Sequence, residues 1–174
     1  QKYTSIKYDA AGNVAAGWPS IYSGPLSTTN DEAHSIKVDG TGNVYVTGKS
    51  GTAGTEDYLT IKMNSGGVLQ WAKKYNGNQN GEDNAIVLVL DGPGANAFVG
   101  GYSTRAGATQ DYVVIKYLTT TGDSNAAAIY ANTPAGQDLL TAMTIDAANN
   151  VYVTGYSQSA ATSLDYATIK YNSS

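Results

Sequence analysis

The sequence predicts an all-β fold made of repeated four-stranded antiparallel units, and three features indicate it. The 174 residues include 20 glycines and 14 tyrosines but only 14% charged residues, which is typical of short strands joined by tight turns. The string Tyr-x-x-Ile-Lys-Tyr, or a close variant, recurs at a fixed period and begins at Tyr3, Tyr58, Tyr112 and Tyr166. Gly- and Asn-rich turn signals separate the runs of strand-forming residues. A fixed period of this length indicates a repeat architecture.

Each unit is predicted to be an antiparallel meander of four short strands. The first complete unit has strand-forming runs at 34–39, 43–48, 57–64 and 68–75. By the same plan the chain divides into a partial unit with strands three and four, two complete units, and a partial unit with strands one to three: 1–30, 31–80, 81–136 and 137–174. We therefore expect one repeat domain, 1–174, of β-propeller type, with about three blades and incomplete blades at both ends.

The hydrophobic pattern differs between the first and third strands of a unit. Residues 85–90 form a continuous apolar run, which is typical of a strand covered on both faces, so the first strand of each unit is expected to be innermost. The third strand alternates instead. Tyr58, Thr60 and Lys62 are expected on one face of the sheet, and the residues between them on the other.

Charge and composition argue against several classes of partner. A net charge of −4 and a pI near 4.7 disfavour binding to nucleic acid or to an anionic membrane surface. No apolar run reaches the length of a membrane span, so none is expected. The chain has no cysteine and begins with Gln1, which is what removal of a signal peptide would leave, and equally what trimming would leave.

A second repeated segment precedes the Tyr-x-x-Ile-Lys-Tyr string in each unit. It reads Asp-Gly-Thr-Gly-Asn-Val-Tyr-Val-Thr-Gly at 39–48 and Asp-Ala-Ala-Asn-Asn-Val-Tyr-Val-Thr-Gly at 146–155, and the second complete unit departs from it at 91–96. Together the two segments resemble the bacterial β-propeller repeat family often called SBBP repeats. The resemblance covers nearly the whole chain.

This resemblance implies four-stranded propeller blades and a secreted or cell-surface bacterial protein. It implies no particular activity, because propellers host many unrelated functions. A closed propeller needs four or more blades, and this chain supplies about three. Either the chain is a fragment of a longer protein, or it completes its sheets with another copy of itself.

Few residues offer catalytic or metal chemistry. An aspartate near a Gly or Asn turn recurs as Asp39, Asp91 and Asp146, and carboxylates with backbone carbonyls suit calcium. We interpret these residues as turn caps, so that no cofactor is required and calcium is compatible but not implied. The single histidine, His34, is expected to be a hydrogen-bonded strand residue, since zinc chemistry would need further His or Cys ligands. No enzyme activity is predicted.

A lysine occupies the same slot of every unit: Lys7, Lys62, Lys116 and Lys170. Such a row could bind an anionic polymer. We favour a structural role, in which each lysine stem packs on a neighbouring aromatic ring while the ammonium reaches a carbonyl or an aspartate. The aspartates that precede the motif tyrosines are the expected partners: Asp57, Asp111 and Asp165.

The function predicted from these features is self-assembly of a non-enzymatic structural or adhesive protein. The open edges of the first and last units are strand templates, and other copies of the chain are the expected partners, in a ring or a filament. The residues expected at these edges are Tyr3, Ile6, Tyr8, Tyr166, Ile169 and Tyr171. The alternative is a glycan-binding, lectin-like propeller that stacks sugars on Trp18 and Trp71, although periodic tryptophans are also typical of packing between blades.

Overall fold

The computed structural model describes residues 2–23, 30–105, 109–132, 136–159 and 163–173, without the side chains of residues 125 and 126. In these ranges the chain forms thirteen strands and no helix. The strands are β1 Tyr3–Ser5, β2 Ser20–Tyr22, β3 Asn30–Val38, β4 Val44–Gly51, β5 Asp57–Met63, β6 Leu69–Tyr75, β7 Asp83–Leu90, β8 Asn96–Thr104, β9 Gln110–Leu118, β10 Ser124–Tyr130, β11 Asp138–Ile145, β12 Val151–Gln158 and β13 Leu164–Tyr171. The prediction of an all-β fold is confirmed.

The strands form four antiparallel sheets, each a meander in chain order: β1–β2, β3–β6, β7–β10 and β11–β13. The predicted four-stranded antiparallel unit is therefore correct for the two central sheets. A β-bulge interrupts the first strand of each of the three larger sheets at the same repeat position: His34, Ile86 and Thr141. Bulges increase local twist and re-aim side chains, and this one turns His34 towards the next sheet.

The sheets pack face to face in chain order. β7 lies against β3, β4 and β5 of the sheet before it, and β11 lies against β7, β8 and β9. Three buried clusters fill the spaces between successive sheets, and large members of the central one are Tyr45, Tyr58, Leu88 and Ile115. Each larger sheet is therefore stabilised through its neighbour, because an apolar sheet face must be buried against another element.

The first strands of the three larger sheets are not equally buried. β7 is largely buried because sheets cover both of its faces. β3 and β11 carry many exposed residues. The β1–β2 sheet next to β3 has two strands of three residues, so it covers only part of that face.

The first sheet is also shorter than the sequence pattern suggests. The Tyr-x-x-Ile-Lys-Tyr string spans 3–8, whereas β1 ends at Ser5, and β2 begins only at Ser20. Beyond the paired residues, a single bridge joins Tyr8 to Val14. Pro19 lacks a backbone N–H and so cannot donate to a strand ladder, which places the start of β2 after it.

Candidate assembly surfaces

A repeated tyrosine–glycine contact joins successive sheets. The first tyrosine of the Tyr-x-x-Ile-Lys-Tyr string is buried in three units, and its hydroxyl donates to a backbone carbonyl of the next sheet. The bonds are Tyr3 to Leu59 (3.1 Å), Tyr58 to Val113 (3.3 Å) and Tyr112 to Tyr156 (3.4 Å). Burial of these hydroxyls raises the pKa of all three tyrosines, so each stays protonated and able to donate.

Each of these hydroxyls lies against the glycine of a Val-x-Val-x-Gly-type segment in the following sheet. A Cβ on that glycine would come within 2.8 Å of the Tyr3 hydroxyl at Gly48, 2.8 Å of the Tyr58 hydroxyl at Gly101 and 2.6 Å of the Tyr112 hydroxyl at Gly155. The same Cβ would come closer still to a backbone carbonyl oxygen of the first strand, that of Glu32, Asn84 or Leu139, so glycine makes room for that strand as well as for the tyrosine. Sequence reasoning missed this contact, although its signal was present, because each tyrosine precedes its glycine by a nearly constant number of residues.

The fourth motif tyrosine, Tyr166 on β13, has no such cover. Its side chain is 97% exposed, whereas its three counterparts are fully buried. The rest of the outer face of β11–β13 repeats the buried face of β3–β6. The Thr154–Thr168 hydroxyl bond of 3.0 Å matches Thr47–Thr60 at 2.9 Å. This face therefore has the chemistry of a sheet–sheet contact.

The opposite end of the stack presents an apolar surface, which we call the β3 face: Ile6, Tyr8, Ile36 and Val38. These side chains are 48%, 59%, 54% and 59% exposed, respectively. Two grooves of about 230 and 160 Å³ lie there, and Ile6 and Ile36 line both. The residue equivalent to Ile36 in the next unit is Leu88, which is 0% exposed. The β3 face is thus the repeat's packing surface without the sheet that covers it elsewhere.

Four of the six predicted edge residues lie on β1 or β13, two strands with an unpaired side, and the other two follow the end of β1. β1 and β13 each have one neighbour among the described strands, β2 and β12 respectively. Tyr3 is buried against the next sheet, while Ile6 and Tyr8 follow the end of β1. On β13, Ile169 and Tyr171 are half-buried against the central sheet, and Tyr166 points to the open face. The six residues therefore divide between edges and sheet faces.

The recurrent aspartates cap their own turns, as predicted. Asp39 accepts from the backbone N–H groups of Thr41 (2.9 Å) and Asn43 (3.0 Å), and from the Tyr45 hydroxyl (3.0 Å). Asp146 repeats this arrangement, and hydrogen bonds from the Asn150 side chain and backbone lower its pKa to about 2. Within the described ranges, no three His, Asp or Glu side chains form a metal-binding group.

Three of the four motif lysines pack on aromatic rings, as predicted. The Nζ atoms of Lys62, Lys116 and Lys170 lie 5.3, 5.8 and 5.4 Å from the ring centres of Tyr45, Phe98 and Tyr152. Two of the ammonium groups also reach carbonyl oxygens of the next sheet, Lys62 at Thr119 (2.8 Å) and Lys7 at Ser65 (3.5 Å). Lysine commonly packs its aliphatic chain on an apolar surface while its ammonium group is hydrated or hydrogen-bonded.

The predicted aspartate partners of these lysines are wrong where the structure gives a partner. Asp57 pairs with Lys74 at 3.3 Å, and Asp111 lies 3.7 Å from Arg105. Asp57 is five residues before Lys62 on one strand, which places the two side chains on opposite faces and about 17 Å apart. The same spacing separates Asp111 from Lys116.

His34 and the two tryptophans make contacts between neighbouring sheets. The His34 Nδ1 atom lies 2.8 Å from the Ala85 carbonyl oxygen, so the prediction of a hydrogen-bonded strand histidine is confirmed. Trp18 and Trp71 are each 8% exposed and lie in buried clusters between sheets. The Trp71 indole donates to the Thr119 carbonyl at 3.1 Å. Both rings therefore serve mainly in packing between sheets, and Trp18 also lines the smaller groove of the β3 face.

No protein-family model matches this chain, and a comparison with curated proteins yields no match. Among the described residues, no helix is long and apolar enough to cross a membrane. The candidate site therefore rests on the geometry of the sheet faces and edges.

Proposed function

We propose that this chain is a non-enzymatic structural or adhesive protein of the bacterial cell surface or extracellular space, and that it assembles with other copies of itself through inter-chain strand pairing. In this proposal the four sheets are blades of a β-propeller type, and shared blades complete a ring or a filament. The face-to-face order of the sheets, in which each first strand lies against the preceding sheet, supports the blade arrangement.

The contrast between Ile36 and Leu88 carries the proposal. Both occupy the same position of the repeat, and both belong to a face that packs against a preceding sheet. Leu88 is covered by the β3–β6 sheet, whereas more than half of Ile36 is exposed. Burying the apolar area of side chains such as Ile36 and Val38 is favourable by about 25 cal/mol per Å². A second copy can supply a covering sheet of the required pattern.

The unpaired edges of β1 and β13 also favour contact with another copy of the chain. Unpaired backbone N–H and C=O groups on a strand are templates for another strand, and β1 and β13 each have a side without a neighbour among the described strands. Strand addition supplies main-chain hydrogen bonds, and alternate side chains set the register. Both features can therefore act in a single interface.

Light scattering of the purified chain over a range of concentrations tests the proposal. We expect particles several times the monomer mass of 18.1 kDa, and their dissociation by an excess of a synthetic peptide with the sequence of residues 164–171. A peptide of the same composition in scrambled order should leave the particles intact. A stable monomer at micromolar concentration would refute self-assembly.

Glycan binding is the less favoured alternative. Its proposed stacking residues, Trp18 and Trp71, are each only 8% exposed and pack between sheets, so little ring surface is left for a sugar. We therefore assign these rings to packing. A glycan array with reproducible hits that are lost in Trp71→Leu would reverse this assignment.

A further inference from the structure

We infer that β1 of one copy takes the place of β13 beside β12 of a second copy, so that β11 and β12 of one chain and β1 and β2 of the other form a single four-stranded sheet. This inference rests on the proposed self-assembly and specifies its interface. β13 of the accepting chain leaves the sheet during the exchange.

The repeat makes β1 and β13 equivalent. Both carry the string that begins the third strand of every unit, at Tyr3 and at Tyr166. When β1 of one copy occupies the β13 position of the next, the pairs β11–β12 and β1–β2 join into one sheet of four strands.

The pairing of β12 with β13 gives the register of the exchanged strand. Tyr156 is opposite Tyr166, Thr154 is opposite Thr168, and Val153 is opposite Ile169. Replacing each β13 residue by its repeat equivalent places Tyr3 opposite Tyr156, Ser5 opposite Thr154 and Ile6 opposite Val153. This pairing is antiparallel, as between the second and third strands of every larger sheet.

The exchange buries the apolar residues that follow β1. Ile169 and Tyr171 of β13 are half-buried against the face of the β7–β10 sheet that carries Tyr112 and Val114. Their equivalents near β1 are Ile6 and Tyr8, which face solvent in the single chain. In the exchanged sheet these two side chains would pack against the central sheet of the accepting copy, as Ile115 and Tyr117 do against β3–β6.

The exchange also covers the rest of the β3 face. Tyr45 on β4 packs in one buried cluster with Leu88. The repeat equivalents of these two residues are Tyr152 on β12 and Ile36 on β3. A β11–β12 pair placed beside β1 lies over β3 of the second copy, so Tyr152 of one chain would cover Ile36 of the other.

Most existing contacts survive this rearrangement. Tyr3 keeps its hydrogen bond to Leu59 and its position beside Gly48, and Trp18 stays buried, because β1 and β2 do not move relative to β3–β6. The strand that is lost, β13, is the most exposed of the three long third strands. β1 has three residues in strand conformation against eight in β13, so residues 6–8 would have to join the pairing with β12 to replace it.

Disulfide trapping in the full-length chain tests the exchange, and the absence of natural cysteines makes the result unambiguous. In Ser5→Cys/Thr154→Cys, mild oxidation should convert most of the monomer to covalent species at multiples of 18.1 kDa. The single variants, and Thr4→Cys/Thr154→Cys with the cysteine on the other face of β1, should give little. Equal cross-linking of the controls, or a disulfide within one chain, would overturn the inference.

A reversible disulfide within one chain provides a second test of the exchange. The Thr154 and Thr168 hydroxyl oxygens are 3.0 Å apart, so Thr154→Cys/Thr168→Cys should form an intrachain disulfide that holds β13 on β12. The oxidised protein should be monomeric, and reduction should restore the particles. If the oxidised protein assembles as well as the reduced one, the exchange is refuted while self-assembly stands. If the wild-type chain is also monomeric, the proposed function fails with it.

Discussion

At the scale of single residues, the sheets are joined by a tyrosine whose polar end reaches across the packing layer. The ring of Tyr58 supplies buried area, and its hydroxyl finds a carbonyl acceptor on the next sheet. A buried hydroxyl without a partner is costly. The glycine at the receiving position, Gly101, has no Cβ, which would otherwise meet both this hydroxyl and the backbone carbonyl of Asn84.

The first prediction concerns this hydroxyl. Tyr58→Phe should lower the free energy of unfolding by about 0.5–1.5 kcal/mol, because it removes the bond to Val113 and leaves that carbonyl with one partner fewer. Tyr166→Phe is the matched control at the same repeat position, and it should leave the monomer's stability unchanged because its side chain is exposed. Urea unfolding measures both. Equal effects of the two substitutions would contradict the role assigned to the contact.

Residue-level prediction from the sequence succeeded where the chemistry is local. Asp39 caps a turn that ends at Asn43, four positions along the chain, and Lys62 lies over a cross-strand neighbour, Tyr45. It failed for Asp57, because the choice between two cations depends on which face of the strand each occupies. The Tyr58–Gly101 contact also lay beyond local reasoning, since it joins residues of two different sheets.

At the scale of strands and turns, the aspartate-capped hairpin is a pH-dependent element. The pKa of Asp146 is lowered from 3.8 to about 2 by hydrogen bonds from the Asn150 side chain and backbone. A lowered pKa in the folded state means that the ionised carboxylate stabilises the fold. That contribution is present above the unfolded-state value and is lost as the pH falls towards 2.

The second prediction follows from the direction of the Asp146 pKa shift. Asp146→Asn should be less stable than the wild type at about pH 6, and the difference should shrink towards zero as the pH falls from about 4 to 2. Comparing the variant with the wild type at each pH cancels the titration of the other carboxyl groups. Urea midpoints at the three pH values measure the difference. A difference that grows on acidification would contradict the assigned cause.

The third prediction compares one repeat position on two strands. Leu88→Ala should lower the free energy of unfolding by about 2–5 kcal/mol, because it leaves a cavity in the central cluster. Ile36→Ala on β3 should cost below about 1 kcal/mol in dilute solution, since much of the side chain is already exposed. The two variants unfolded side by side give the comparison. A large cost for Ile36→Ala in the dilute monomer would show that its side chain is already covered.

The sequence predicted the type and order of these strands because hydrophobic period and turn residues are local signals. It did not predict the exposure of β3. Ile36 and Val38 have the apolar character of an inner strand, and their exposure depends on how many strands the preceding sheet contributes. The number of strands in the preceding sheet depends on how the sheets stack, and the sequence of β3 itself carries no signal for it.

At the scale of the whole molecule, the sheets form a directional stack whose two ends are unlike. The β3 face is apolar, whereas the outer face of β11–β13 carries tyrosines, threonines and a lysine. A contact between unlike ends is heterologous, so it closes into a ring when the rotation per copy permits and continues as a fibre when it does not. The rotation between successive sheets therefore sets the form of the assembly.

The last prediction tests this directional contact through stability. Association stabilises the folded state by mass action, by about 2.7 kcal/mol when the partner is at about 100 times its Kd, which raises the Tm by about 5 °C or more for a chain of this size. The Tm of the wild type should therefore rise with protein concentration.

Ile36→Lys supplies the control, because it places a cation on the β3 face at a site that is exposed in the monomer. Its Tm at low concentration should stay close to that of the wild type, and its concentration dependence should be lost, since burying an unpaired ammonium between sheets is costly. Scanning calorimetry over a wide concentration range measures both. If the wild-type Tm does not change with concentration, the exposed β3 face is not an interface between copies, and its apolar residues need another occupant.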